Sequence, residues 1–481
     1  MSDTDRLVQL FAGWAGEPCA EVLALSGESA SSRRYFRLRG ATRCCVGTVA
    51  TDLRENEAFF SFGSHLHSKG LPVPEIYAVD ADRRHYLQED LGDTSLYTIL
   101  LDKRRAGRGF DADMHALYSR ALADLDAIQK GGRDADFAVG FPRPAFDRRA
   151  ILWDLNYFKY HFLKLADIPF DEDRLQDDFE RFTDSLLEAD CNYFMYRDFN
   201  PRNIMVTEQA GEPQLRYIDF QGGRRGAAQY DVASLLYSAK SDLPEAVRTD
   251  LLKGYVALHG DPRFMERFWH YVLVRILQTL GAYGFRGLYQ RKPYFVQSIP
   301  LGLGNLRRLA EDHREVLEPY AELTAVVEAM SALAPARWGA TGSGPADETV
   351  GSATLTVTVQ SFSYKRGLPE DPTGNGGGHI FDCRALPNPG RYEQYRAYTG
   401  KDRPVIEFLE REPAVDTFLD HARAIVGQSV DKYLERRFTH LSVAFGCTGG
   451  QHRSVYCAER MAQWLSAQYP QVTVDVVHRE R

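Results

Sequence analysis

Tyr196-Arg-Asp-Phe-Asn-Pro-Arg-Asn-Ile-Met-Val206 is the stretch on which the fold turns. Asp198 is followed five positions later by Asn203. An apolar run, Ile204 to Val206, and a polar turn from Thr207 to Pro213 then lead into Leu215-Arg-Tyr-Ile-Asp-Phe220. This predicts loop, strand, turn and strand, with one acid before the hairpin and a second, Asp219, after it. Phosphoryl transfer calls for that spacing: one carboxylate accepts the proton of the attacking hydroxyl, while an Asn and a second Asp hold Mg²⁺ on the nucleotide phosphates. Asp198 fits the base, and Asn203 and Asp219 fit the metal ligands. Asp and Asn are also ordinary turn formers, but an Ile-Asp-Phe two strand lengths downstream favours the kinase reading. Asp231, in Ala-Ala-Gln-Tyr-Asp-Val-Ala, reads as a structural residue that caps a helix or braces the loop.

With Tyr217 to Gly222 and Asp231 behind it, Tyr196 to Met205 resembles the aminoglycoside phosphotransferase and choline kinase family. Within it the chain is most similar to sugar kinases of the N-acetylmuramate/N-acetylglucosamine type. The resemblance implies a protein-kinase-like α+β fold with a small β lobe and a large helical lobe. It also implies ATP, Mg²⁺ and a hydroxylated small substrate. The chain departs from the family's usual His two places before the base, where it has Tyr196.

Outward from that loop, residues 22 to 39 read as a strand, a Gly/Ser-rich turn and an alternating strand, the shape of a hairpin over nucleotide phosphates. Ser29, Ser31 and Ser32 can cradle oxyanions there, and Arg33 or Arg34 can add charge. The next strand, Arg43 to Ala50, is where a kinase normally supplies a lysine to the phosphates, and it has none. The helix from about Glu55 offers Glu57, which in the wider family pairs with that lysine. The similar sugar kinases depart here too, so the absence reads as a family trait rather than an inactive enzyme. Leu71 to Val79 is a Pro-opened edge segment. His85 to Asp93 resembles the family's hinge, with backbone near Glu89 to Leu91 facing the adenine. Residues 111–130, 151–190 and 243–333 are largely helical by period. Polar and aromatic side chains between Phe268 and Leu288, Arg275, Gln278 and Tyr283 among them, are candidates for sugar contact against a core-packing alternative.

Residues 335–352, rich in Gly, Pro and Ser, predict a linker between a kinase domain (1–334) and a second domain (353–481). Beyond it, strands and helices alternate: strand from Thr354, glycine-rich loop at 374–378, strand from His379, helices from Val405 and Val415, strand from His440, helix from Arg453, strand from Val472. This predicts a compact α/β domain with a mixed sheet. In it, Gly446-Cys-Thr-Gly-Gly-Gln-His-Arg-Ser454 runs from a buried strand through a loop of small residues to a helix start, a place where free N–H groups and Arg453 favour an anion. Cys447 and Arg453 also satisfy the Cys-x₅-Arg-Ser spacing of cysteine-dependent phosphatases.

Four ordered motifs, Phe362 to Pro369, Phe381 to Pro389, Tyr398 to Ile406 and Gly446 to Tyr456, resemble the C-terminal domain of the RNase adapter RapZ more closely. That resemblance implies a phosphosugar pocket, with glucosamine 6-phosphate as its ligand, and contacts with a regulatory protein or RNA. Its residues would be Asp382, Arg384, Asn388, Cys447, Thr448, Gly449, Gly450, His452 and Arg453. The chain departs from that family at Gly390-Arg391 and Gln451, and it carries no GxxxxGK[ST] loop.

Composition bounds the rest. The 481 residues, 44% hydrophobic and 26% charged, predict at least two globular domains. Seven cysteines with no CxxC pair suggest reduced thiols. Cys44 and Cys45, neighbours on a strand, should face opposite ways. Met1 to Leu10 has neither a basic nor an apolar signal region, and no apolar run reaches membrane-spanning length, so a cytoplasmic protein is expected. The net charge is −8, and from residue 352 onward 16 Lys/Arg face 15 Asp/Glu, without the basic excess of a non-specific nucleic-acid binder. The expectation is an ATP-dependent sugar or amino-sugar kinase fused to a phosphosugar-sensing domain. Its rivals are a regulatory adapter with an inactive kinase half, and a choline or aminoglycoside kinase.

Overall fold

Ser2 and Asp5 start the first helix by exchanging bonds: Ser2 Oγ accepts from the Asp5 N–H, and the Asp5 carboxylate accepts from the Ser2 N–H. The helix, α1 (Asp3–Ala15), lays Leu7 and Phe11 on Leu38, Cys45, Val49 and Leu87, one face of an antiparallel sheet. That sheet comprises β1 (Glu21–Leu25), β2 (Arg34–Arg39), β3 (Cys44–Val49), β4 (Ile76–Val79) and β5 (His85–Gln88), in the order β1-β2-β3-β5-β4. The Pro-opened segment thus forms an edge strand, and Cys44 is exposed while Cys45 is buried. The computed structural model describes residues 2–25, 33–209, 211–333, 338, 355–369, 378–436 and 438–480. The Ser29, Ser31 and Ser32 turn, the linker apart from Trp338, and residues 374–377 of the glycine-rich loop lie outside them.

After β3 the chain enters α2 (Leu53–Ser68), capped by Asp52, whose carboxylate accepts from the Arg54 and Glu55 N–H groups. One face of α2 carries Phe59 and Gly63 against Phe220, with the Phe59 and Phe220 rings stacked 5.1 Å apart. The rest of this unit is mainly helical. Its longest members, Ala112–Gly131 and Phe264–Tyr283, bury their apolar stripes against neighbouring helices. Two π-helical segments, Lys159–Leu163 and Gly284–Tyr289, lie against each other. Gly284 permits this, because a Cβ there would come within 1.9 Å of the His161 carbonyl oxygen. Four short strands carry the catalytic region: β6 (Tyr193–Met195), β7 (Ile204–Gln209), β8 (Glu212–Tyr217) and β9 (Arg224–Gly226). β7 pairs with β8, and β6 with β9.

The second unit has β10 (Thr356–Ser363), β11 (Gly378–Asp382), β12 (His440–Cys447) and β13 (Thr473–His478), in the order β11-β12-β10-β13. The expected mixed sheet is corrected: every pairing is parallel. Parallel neighbours need long crossovers. The helices Arg403–Glu410 and Pro413–Glu435 lie between β11 and β12, and Arg453–Gln468 between β12 and β13. Helical side chains such as Val426, Met461 and Leu465 share a core with Val357, Val359, Val443 and Phe445 of the sheet. No helix among the described residues is long and apolar enough to cross a membrane.

Candidate functional site

The turn between β6 and β7 brings the three predicted residues together. Asn203, at the end of the short 3₁₀ turn Pro201–Asn203, donates from Nδ2 to the Asp198 carbonyl oxygen at 2.9 Å and to Asp219 Oδ2 at 3.2 Å. The Ile218 N–H returns to the Asn203 carbonyl at 3.0 Å, which fixes the two loops in register. The Asn203 amide spends its N–H groups on the protein, so its Oδ1 is left, and the Asp219 carboxylate, whose oxygens accept from Asn203 and, at 2.6 Å, from Gln221 Nε2, keeps further lone pairs; these are oxygen donors, the ligand type Mg²⁺ takes. They fit such an ion. Asp219 holds φ at +72° and Arg197 at +79°, a left-handed backbone rare for residues with side chains.

Desolvation by the protein packed around it, and then the Asp219 carboxylate, push the Asp198 carboxyl up to about 6 although its side chain is 49% exposed, while Arg275 pulls the other way. A base poised near the working pH is what proton abstraction from a hydroxyl needs. Arg275 Nη2 stands 3.9 Å from Asp198 Oδ1, and its Nε donates to Ser234 Oγ at 3.0 Å. Of the candidates on the helix Phe264–Tyr283, Arg275 is the one that reaches the base. Tyr271 instead donates to the Leu186 carbonyl in the core, and Trp269 stacks on His313.

Tyr196 replaces the family's histidine without loosening the loop. Its buried phenol donates to the Ile218 carbonyl at 2.6 Å, and its ring meets Phe199 and Phe220 edge-on. Asp231 braces the same loop from the helix Gln229–Leu236, accepting from the Tyr196 N–H at 2.7 Å and the Arg197 N–H at 2.9 Å. Burial lifts its carboxyl to about 7 against the pull of those two donors. Asp231→Asn turns a donor toward a donor at a fully buried place. It is expected to cost about 1–3 kcal/mol and to lower Tm by about 2–10 °C in thermal unfolding followed by circular dichroism.

In the β lobe one expectation is redrawn. Glu57 lies away from the nucleotide face and pairs with Arg83, whose Nη2 is 2.6 Å from Glu57 Oε2. Glu55, two residues earlier in α2, is the carboxylate that meets Arg33, whose Nη2 lies 3.2 Å from it. At the hinge the Glu89 N–H donates to the Glu75 carbonyl, and the Glu89 side chain pairs with Arg216. Leu91 is buried. Arg37, unremarked in the sequence, forks onto both Asp90 and Asp93 and ties the hinge to β2.

In the second unit Cys447 ends β12 and Arg453 starts the helix Arg453–Gln468, with Thr448 to His452 looping between them. Gly450, at φ +67°, makes the turn, and a Cβ there would also crowd Glu480 and the Ser363 N–H. Burial opposes ionisation of Cys447. Even so, the Ser454 hydroxyl 3.1 Å away, the Ser454 and Gly450 N–H groups and Arg453 hold the thiol below its ordinary pKa. Thr448 and Gly449 are exposed, and the His452 ring lies 3.0 Å from the Tyr395 carbonyl. Arg453 is placed differently from expectation. Buried, it donates from Nη1 to the Arg384 and Leu386 carbonyls at 2.8 and 2.9 Å, clamping the 384–386 turn to the helix. Arg384 is the exposed cation there, forked onto Asp382 and lying over the Tyr364 ring. Asn388 Oδ1 caps the next turn by accepting from the Gly390 N–H.

The matches to known families follow this division. Residues 22–268 match the model of the phosphotransferase enzyme family. The chain belongs to that family. Residues 355–481 match the RapZ C-terminal domain. Over 126 residues the chain is 42% identical to a nucleotide-binding protein of Ralstonia nicotianae, which is 26% of this chain and 40% of the relative. Over 132 residues it is 46% identical to one of Cereibacter sphaeroides, 27% of this chain and 41% of the relative. The chain thus spans about two fifths of the length of these curated relatives. A solved ethanolamine kinase of Plasmodium vivax is similar at 12% identity and a TM-score of 0.46, over 62% of this phosphotransferase-family chain and 84% of that one.

Proposed function

We propose that the first unit transfers the γ-phosphoryl group of Mg²⁺·ATP to a hydroxyl of a sugar or amino sugar, with Asp198 as the base and Asn203 and Asp219 on the metal. The observation that carries this reading is the Asn203 amide bonded at once to the Asp198 carbonyl and the Asp219 carboxylate. It joins the proton acceptor to the metal-binding pair in one rigid cluster. Mg²⁺, when bound, neutralises the charge that develops on the phosphates. Arg275 beside the base offers an acceptor hydroxyl or its neighbours a hydrogen-bond donor, and bears on which acceptor is taken.

The second unit is read as a phosphosugar-binding domain, with the exposed Thr448 and Gly449 N–H groups and Arg384 supplying the attraction, and with a regulatory protein or RNA as a further partner. Seven free thiols support a cytoplasmic location. The test is ATP consumption by the full chain over a panel of amino sugars, neutral sugars, choline and aminoglycosides, with glucosamine 6-phosphate titrated calorimetrically into the same protein. Highest kcat/KM on an amino sugar, together with saturable phosphosugar binding, is expected. Turnover highest on choline would sink the sugar assignment, and absence of binding would sink the second.

A further inference from the structure

We propose that Arg33, arriving from β2 and held by Glu55, takes the place of the lysine that β3 lacks and binds the nucleotide phosphates. The inference rests on the kinase reading above. On β3, the side of the strand opposite α1 is closed by Thr48, which is fully buried and in register with Tyr35 of β2 and Tyr86 of β5. No cation comes from that strand. Arg33 directly precedes β2, whose first residue pairs with Val49 at the end of β3, so its side chain enters the same corner from the neighbouring strand. The Arg33 side chain is 5% exposed and its Nη2 lies 3.2 Å from Oε2 of Glu55, whose side chain is 37% exposed. The Asp219 carboxylate also favours its charged form.

Burying a guanidinium is costly unless anions meet it. Here the Glu55 carboxylate meets it, with Nη2 to Oε2 at 3.2 Å. A polyphosphate chelated by Mg²⁺ at Asp219 would bring further anionic oxygens to it. Arginine also presents a planar fork suited to two phosphate oxygens, where a lysine offers a point charge. Glu55 is then a positioning residue for Arg33, doing for it what the helix glutamate does for the lysine in other kinases.

The experiment measures equilibrium binding of Mg²⁺·ATP to the full chain, and separately kcat and the KM for ATP and for the acceptor. The variants are Arg33→Ala, Arg33→Lys, Glu55→Gln and the double variant Arg33→Ala with Thr48→Lys, each checked by its melting temperature. Arg33→Ala is expected to weaken ATP binding about 10- to 100-fold, with the acceptor KM unchanged. Glu55→Gln should move the same parameter in the same direction by less. Arg33→Lys and the double variant should each recover part of the affinity. ATP affinity within threefold of wild type in a folded Arg33→Ala protein would overturn the proposal. Should Arg33→Ala not fold, full affinity in Arg33→Lys together with no change in Glu55→Gln would overturn it as well. Wild-type protein that binds ATP without turning over any acceptor would count against the kinase reading alone, since the binding series still decides the role of Arg33.

Discussion

Asp198→Asn should lower kcat by about 10²-fold or more, the scale of a lost general base, while the KM for ATP stays within a few fold. The substitution is nearly isosteric, and an amide Oδ1 can still accept the 3.0 Å bond from Asn200 Nδ2. The Asn203 contact to residue 198 goes to the backbone carbonyl, so it survives too. What disappears is the capacity to take a proton from the acceptor hydroxyl. The measurement is steady-state ATP consumption with the best acceptor from the panel, beside a nucleotide titration. A kcat near that of the unmodified protein would remove Asp198 from the reaction.

Asp219→Asn should act on a different parameter, raising the Mg²⁺ concentration needed for half-maximal rate and lowering kcat/KM for Mg²⁺·ATP by about 10²-fold or more, since a metal ligand supports several kcal/mol of charge stabilisation. Asn is the better probe here because the backbone at 219 is left-handed, at φ +72°. Asn tolerates that conformation, whereas alanine would add strain; the Asn amide does turn one N–H toward the Asn203 or Gln221 amide that the carboxylate accepts from, so some loss of stability accompanies the loss of the ligand here too. Asp219→Ala is therefore expected to lose stability as well as metal affinity. Separate scans of Mg²⁺ and ATP resolve the two effects. An unchanged Mg²⁺ dependence in Asp219→Asn would take the metal away from this residue.

The meeting of Asp198, Asn203 and Asp219 was legible because their spacing lies around one hairpin: local turns and a single strand pair bring them together. The order of elements in the second unit was legible for a similar reason, as each strand or helix announces itself by its own period. Strand direction was not. It depends on which strands become neighbours, and β10, Thr-Val-Thr-Val-Gln-Ser-Phe-Ser, alternates like a half-buried strand although all of it beyond Thr356 is buried. Glu57 was misplaced by a helical register error. Positions 55 and 57 differ by about 200° around the helix axis, so choosing between them needs the rotation of the helix and not merely its presence. Arg453 was misjudged because nothing near it in sequence announces the Arg384 and Leu386 carbonyls that take up its guanidinium. Arg275 lies 77 residues after Asp198 in the sequence and could be singled out only once the helix Phe264–Tyr283 had been folded back on the loop.

The Asp231 carboxylate, bridging two consecutive amides of the catalytic loop, also decides how that loop opens. The Tyr196 and Arg197 N–H groups cannot reach water until the helix Gln229–Leu236 releases the acid, and Gln129 holds the same carboxylate from a second helix. The loop and these helix contacts therefore form one cooperative opening unit rather than a loop that frays alone. In hydrogen exchange the two amides should keep pace with the slow core of that helix, so the segment bearing the base belongs to the protected part of the protein although its carboxylate stands half exposed.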